Sequence, residues 1–454
     1  MRSVPALLAL SILVLPAVGQ SPCEPQRLQP PAFARYGEFG YRVEMNQRHL
    51  LIADWRGGAA CVPPGSCVHG EVNAYERDSF TGLWIHRQTI TLASIEPGDF
   101  FGFDMDLDGD RLLVGAIGSD LAGANLGAAF VFDFDGDRWV ETGTLLPVRD
   151  VQGFGQFVAL SGDWAMVEQF NLVELYELAG GSWVHRQTIV PEEPGVALDF
   201  GTVVAMDGEW LMIGAAQDRG EVIQGGAVYV YRLGPDGLVT PYQTLRPVTP
   251  DRIQYHFGQA LAIEGGTLAV GAPADARGAV HIYNLVGGRW ELATRLAFEG
   301  ADTLTNLGWS VDLSGDTLVA GATEEGTPLS GGAGHVYRRG GGDVWREIYV
   351  AKPPFPSSGF GFGSGTDGRY AVFGADDEPR GSETDPVGAA HIYDLGCLLC
   401  APDLDADGTL TIFDFLTFLN LFQDGDPIAD FDGDGELTIF DFLAFQTAFD
   451  AGCS

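Results

Sequence analysis

The chain is poor in positive charge. Lysine occurs once, at Lys352, and Lys and Arg together number 25 against 62 Asp and Glu, a formal net charge of −37. A surface of that sign repels a polyanion, and no basic patch interrupts it, so nucleic acid is excluded as a partner. Histidine is scarce too. No Ser/His/Asp or Cys/His set gathers in one loop system, so no catalytic residue is singled out. After the first twenty residues no apolar run approaches the roughly 20 residues of a membrane helix, so no membrane span is expected. Cysteine numbers only six. The acidity fits solubility, salty surroundings or cation binding, and composition does not choose among them.

What the first twenty residues do contain is a secretory signal. Arg2 opens it, Ala6–Val18 is its apolar run, and Ala17-Val18-Gly19 is a small-residue cleavage site. Residues 1–20 are therefore expected to be removed and the mature chain to be secreted, extracellular and associated with the cell surface. Six cysteines in an exported chain suggest disulfides, with 15 pairings open to them. Position in the chain favours Cys61–Cys67 within one loop, Cys23–Cys397 across a ring closure, and Cys400–Cys453 around a C-terminal unit.

The most informative stretch is His256–Phe298. Gln259–Ile263 is an apolar run that ends in the tight turn Glu264-Gly265-Gly266. Thr267–Val270 follows, then Ala279–Tyr283, then the alternating Trp290–Ala297. Four antiparallel strands in so short a span have the size of one propeller blade.

The unit recurs seven times. An aromatic-Gly or Leu-Gly pair opens each copy, at Phe39, Phe101, Phe154, Phe200, Phe257, Leu307 and Phe360. Fourteen residues later stands Gly115, Gly214, Gly271, Gly321 or Gly374, replaced in two copies by Ala53 and Glu168. A third-strand motif then follows in five copies: GAAFVF, GAVYVY, GAVHIY, GAGHVY and GAAHIY. Trp84, Trp139, Trp183, Trp290 and Trp345 open fourth strands. This pattern resembles the FG-GAP repeat of integrin-type β-propellers, over about residues 24–396. The seventh copy lacks its Trp strand, and Glu24–Pro31 resembles the missing piece. The N-terminal strand is expected to complete the last blade and remove two open sheet edges.

Two readings inside the repeats stay structural. Asp104–Asp110 and Asp133–Asp137 look like calcium loops, but their register matches strand-to-strand turns elsewhere, so turn chemistry is expected and propeller calcium is not. His281, His335 and His391 share one third-strand register, which points to packing.

The C-terminal segment carries the sharpest chemistry. DLDADGTLTIFDFLTFLNLF at Asp403–Phe422 and DFDGDGELTIFDFLAFQTAF at Asp430–Phe449 are near copies, each beginning with a 12-residue calcium pattern. Asp403, Asp405, Asp407, Thr409, Thr411 and Asp414 are the expected ligands of one ion, with Gly408 at the bend. Asp430, Asp432, Asp434, Glu436, Thr438 and Asp441 are those of a second, with Gly435. Alternate residues of a tight loop point inward, and the twelfth closes the shell from the first turn of a helix. Each loop is followed by one helix, Phe413–Leu421 or Phe440–Phe449, with no entering helix. Loop-then-helix in duplicate resembles a dockerin, in the short form that ends many secreted planctomycete proteins. That resemblance implies a cohesin-like or cell-surface scaffold as partner. Ile412-Phe413 and Ile439-Phe440 stand where clostridial dockerins carry small polar residues.

The expectation is a mainly β chain: a seven-bladed β-propeller of four-stranded blades over 21–397 and a small α-helical dockerin/F-hand domain over 398–454. It reads as a non-catalytic binding protein with two Ca2+ ions in its tail and a glycan or protein ligand on the propeller. An extracellular polysaccharide-degrading glycosidase or lyase, and a cell-surface adhesion protein, remain the alternatives.

Overall fold

In a computed structural model the chain forms a β-propeller followed by two helices. The structure describes residues 25–31, 37–57, 69–79, 81–192, 199–219, 225–247, 256–297, 305–325, 331–353, 359–379, 387–398, 402, 404, 410–424, 429, 431 and 437–451. The expected signal segment lies outside these residues. So do Cys23, Cys61, Cys67, Cys400 and Cys453, and with them the three disulfide pairings.

Seven sheets of four antiparallel strands make up the propeller. In six of them the strands follow chain order from the axis outward, as in the fifth blade: Ala260–Glu264, Thr267–Ala272, Ala279–Val286 and Arg289–Ala297. The seventh borrows. Gln26–Leu28 pairs antiparallel with Ala389–Asp394 and supplies its outermost strand. First and last segments of the propeller thus share one sheet, and the ring closes.

The repeated glycines explain themselves at the seams between blades. A Cβ on Gly115, Gly214, Gly271, Gly321 or Gly374 would overlap the carbonyl oxygen of Gly155, Gly258, Gly308, Gly361 or Gly40, the opening glycine of the next blade. The second strand of one blade and the first turn of the next approach backbone to backbone, a distance only glycine permits. The opening Phe or Leu fills the space beside that contact, and all seven are buried. The two departures fit the same place: Ala53 touches the space over Gly102, and the stem of Glu168 occupies the space over Gly201.

Side chains stitch the seams at two radii. Near the axis, carboxylates accept N–H groups from the edge of the next innermost strand. Asp104, Asp106 and Asp108 bond Val158, Leu160 and Gly162 at 2.9, 2.6 and 2.6 Å. Asp207 bonds Gly265 at 2.8 Å and Asp312 bonds Thr366 at 2.7 Å. These are donors with no ladder partner, and the carboxylates satisfy them. Turn chemistry therefore holds for Asp108-Gly109-Asp110 but not for Asp104 and Asp106. Those two lie within the strand Phe101–Asp108 and face the next blade. At the rim, outer-strand glutamines clasp the neighbouring backbone in both directions: Gln26 with Trp84, Gln88 with Trp139, Gln187 with Val239, and Gln243 with Trp290.

After the seventh blade come a single turn, α1 (Leu395–Leu398), and two longer helices, α2 (Ile412–Asp424) and α3 (Ile439–Ala451). Phe418 and Phe445 are fully buried and stack at 4.3 Å with planes 12° apart. Phe415–Phe445 at 5.9 Å and Phe418–Phe442 at 6.1 Å flank that stack almost symmetrically. The near identity of the two segments reappears as a near two-fold helix pair.

Candidate functional site

The innermost strands of all seven blades line an axial cavity of about 270 Å³. Its wall is divided. Arg42, Glu44, Asp104, Asp106 and Asp312 come from blades 1, 2 and 6, while Phe157, Val203, Leu261 and Ile263 come from blades 3, 4 and 5. One mouth carries an aromatic crescent. Trp309–Phe362, Phe362–Tyr41, Tyr41–Phe103 and Phe103–Trp55 stand 5.2, 5.3, 5.8 and 5.3 Å apart between ring centres. Tyr41, Phe103, Trp309 and Phe362 each lie two residues after the Phe or Leu that opens their blade. The four are contiguous, running 6-7-1-2, only because the ring is closed.

Below the crescent the carboxylates are compressed. Arg42 donates to Asp104 at 2.7 Å. Burial, then the neighbouring Asp106, Asp312 and Asp104, hold the Glu44 carboxyl well above the usual carboxylate range. Burial pushes Asp106 and Asp312 up to about 7 each. Water reaches these groups through the cavity, yet they sit deep in the ring, so charge is poorly solvated there. Asp104, Asp106 and Asp312 are committed to N–H groups of the next blade. Glu44 has no hydrogen-bond partner among the described residues. An aromatic rim above carboxylate acceptors, facing an apolar wall, suits a ligand with both apolar faces and donor groups. This site was readable in part: the pattern x-Gly-aromatic recurs in four copies. Glu44, Asp106 and Asp312 also share one offset from the opening residue, but the partners of the acids were not readable, because Asp104, Asp106 and Asp312 each meet theirs about a blade further along the chain.

Third-strand histidines are held as the register implied. His281 bonds Asp275 at 2.8 Å, and Arg295 meets the same carboxylate at 2.8 Å. His335 bonds Glu325 at 2.6 Å and Glu347 at 2.7 Å, and Lys352, the single lysine, pairs with Glu325. His391 bonds Glu378 at 2.7 Å, where the second partner is Arg27 from the N-terminal strand, at 2.5 Å. In blade 4, Tyr229 and Arg246 meet on Asp218. Four blades thus repeat one lock: an acid after the second strand, an aromatic hydrogen-bonding group on the third, a cation from the outermost strand. Burial alone would lower the His335 imidazole, but its bonds to Glu325 and Glu347 raise it.

Of the twelve residues expected to bind calcium, four fall among the described residues. Asp414 and Asp441 are fully buried in the first turns of α2 and α3. Asp414 accepts the N–H groups of Leu404 and Thr411 at 2.8 Å each, and Asp441 accepts that of Thr438 at 2.7 Å. The hydroxyls of Thr411 and Thr438 accept from Phe413 and Phe440 at 3.1 Å. Asp403, Asp405, Asp407, Thr409, Asp430, Asp432, Asp434 and Glu436 lie outside the described residues. Among the described residues no three His, Cys, Asp or Glu side chains converge to hold a metal ion, and no helix is long and apolar enough to cross a membrane.

Residues 84–132 and 183–231 match the FG-GAP repeat family. Each match begins at a fourth-strand Trp, Trp84 or Trp183, and ends on the third strand of the next blade, at Phe132 or Tyr231. No curated protein matches the chain. The chain carries FG-GAP repeats on a seven-bladed propeller of four-stranded blades, a fold suited to binding or adhesion.

Proposed function

We propose that this is a secreted, non-catalytic binding protein. The propeller takes a glycan or protein ligand at the aromatic mouth of its axis. A dockerin-like tail, folded around two calcium ions, anchors it to a cohesin-type scaffold or to the cell surface. The observation that carries the reading is a matched pair of exposed apolar faces. Ile412, Phe413 and Leu416 are 63, 63 and 48 % exposed, and Ile439, Phe440 and Leu443 are 64, 63 and 49 % exposed. So small a helix pair needs its apolar side chains inside. Large groups left out in duplicate, at equivalent positions, fit a partner surface approached in either of two orientations. Asp414 and Asp441, the twelfth residues of the two patterns, are buried in the first turns of their helices and accept N–H groups from Leu404, Thr411 and Thr438, which supports the reading.

The test is surface plasmon resonance of the full chain on immobilised cohesin domains, in calcium and in EGTA. Binding is expected in calcium only. Alanine replacement of Ile412 and Phe413, or of Ile439 and Phe440, should leave it, and replacement of all four should abolish it. Binding that survives EGTA or the fourfold substitution overturns the reading.

A second reading, a polysaccharide-degrading enzyme, is favoured by the axial carboxylates with raised pKa. It is weakened by the bonds that tie Asp104, Asp106 and Asp312 to the next blade, which leave Glu44 alone as an untethered acid. Turnover on a polysaccharide panel, lost in Glu44→Gln, would select it.

A further inference from the structure

The cross-strand pair that ends the second strand and begins the third is Ala/Ala in five blades: Ala116 with Ala128, Ala215 with Ala227, Ala272 with Ala279, Ala322 with Ala333, and Ala375 with Ala389. In the first blade it is Asp54 with Glu71. Both side chains are buried. Asp54 Oδ1 accepts the Glu38 N–H at 2.8 Å, while Oδ2 is buried with no partner. Glu71 Oε1 accepts from Asn73 at 3.1 Å. Two glycines make room for the Asp54 carboxylate itself: a Cβ on Gly37 would stand 2.8 Å from Oδ2, and one on Gly57 2.6 Å from it.

Two carboxylates facing each other out of water need a compensating positive charge. Blades 4 to 7 supply it from Arg or Lys on the outermost strand. In blade 1 no cationic side chain among the described residues bonds Asp54 or Glu71. Arg56 is spent on Glu38, at 2.6 Å. Asp376, from the adjoining seventh blade, adds another buried carboxylate with an unpartnered oxygen. Burial, and then neighbours that include Glu71 and Glu38, would otherwise hold Asp54 up at about 8.

We infer that Asp54 and Glu71 form a site for a hard divalent cation of the calcium class, on the first blade and separate from the tail loops. Two carboxylates are its charged ligands, and main-chain and water oxygens complete the shell, as such cations accept. The ion neutralises the pair and locks the second and third strands beside the seam with blade 7, where the ring closes.

Terbium luminescence tests this on the full-length chain. Trp55 follows Asp54 directly, whereas no Trp or Tyr occurs after Tyr393. The tail therefore has no sensitising residue of its own, and the substitutions at Asp54 and Glu71 assign the emission to the first blade. Saturable sensitised emission that calcium displaces is expected. Asp54→Asn and Glu71→Gln should each weaken terbium binding at least about tenfold, while Glu44→Gln, at the axis, leaves it unchanged. Both substitutions keep the side-chain shape and remove uncompensated charge, so in EGTA the variants should melt no lower than the parent. Absence of sensitised emission, or emission that both substitutions leave intact, overturns the site. A proton shared by the pair would give that first result.

Discussion

Burial lifts Asp106 and Asp312 to about 7 and Asp54 to about 8. A carboxyl held above its unfolded value keeps a proton that the unfolded chain has already released. Between the ordinary carboxylate range and about pH 8 the folded state binds more protons, so stability is greatest at the acid end and falls as pH rises. Fully buried Asp54 sets the upper bound, about 1.4 kcal/mol per pH unit; the axial pair, reached by water, contributes less. The paired acids act in the opposite sense. Burial would raise Asp275 and Glu325, but bonds to His281 and Arg295, and to His335 and Lys352, hold them low. Their contribution is present above the ordinary carboxylate range and is lost only in stronger acid. In EGTA the propeller should therefore melt several degrees higher near pH 5 than near pH 8, and Asp54→Asn and Asp106→Asn should flatten the slope. Calorimetry across that range decides it, and a melting temperature that climbs with pH refutes it. The repeat pattern marks the place of some of these groups: Glu44, Asp106 and Asp312 each stand five residues after the residue that opens their blade. It does not show what they meet, and the spacing of Asp104 and Asp106 resembles a metal loop. Their real partners, Val158 and Leu160, are 54 residues away.

Strands were far more legible than side-chain partners. A fixed offset between the opening aromatic and the second-strand glycine marks a backbone contact between blades, which cannot drift. The missing Trp strand of the last copy pointed to Gln26–Leu28, because Gln26 and Leu28 hold the places of Gln88 and Ile90 in the first blade. That short strand carries much of the closure. Gln26 exchanges two hydrogen bonds with Trp84, at 2.7 and 2.8 Å, and Arg27 reaches fully buried Glu378. Removing one partner of a buried pair leaves charge uncompensated, a loss of about 3–5 kcal/mol at the upper end; His391 shares Glu378 and moderates it. Arg27→Ala should shift the urea midpoint of the propeller markedly lower, and Gln26→Ala modestly. Arg295→Ala, which removes the equivalent cation inside an ordinary blade, should do less, because the covalent chain still holds that outermost strand. Equal effects from Arg27→Ala and Arg295→Ala would show that closure is not where stability is concentrated.

At the scale of the whole chain, charge and composition separate two regions. Every Lys and Arg lies at or before Arg380, every Trp at or before Trp345, and the last sixty residues carry acid and phenylalanine instead. Blades 4 to 7 of the propeller spend one cation per lock, so the acids of those locks are compensated inside the protein. The tail has no basic side chain with which to do the same, and its carboxylates repel one another unless ions enter. Folding of α2 and α3 should then require calcium, whereas the propeller, closed by its own hydrogen bonds, should still fold without it and lose only the stability that an ion at Asp54 and Glu71 adds. The composition offers a clean readout: trypsin has no site after Arg380, whereas chymotrypsin has a phenylalanine at each exposed first turn, Phe413 and Phe440. In calcium the full chain should resist brief chymotrypsin treatment. In EGTA cleavage should begin at those two positions and leave a propeller fragment ending near α1, still melting cooperatively by tryptophan fluorescence. A tail equally resistant in EGTA would mean that the stacked Phe418–Phe445 core folds it unaided, and the calcium-dependent anchor would fall with it.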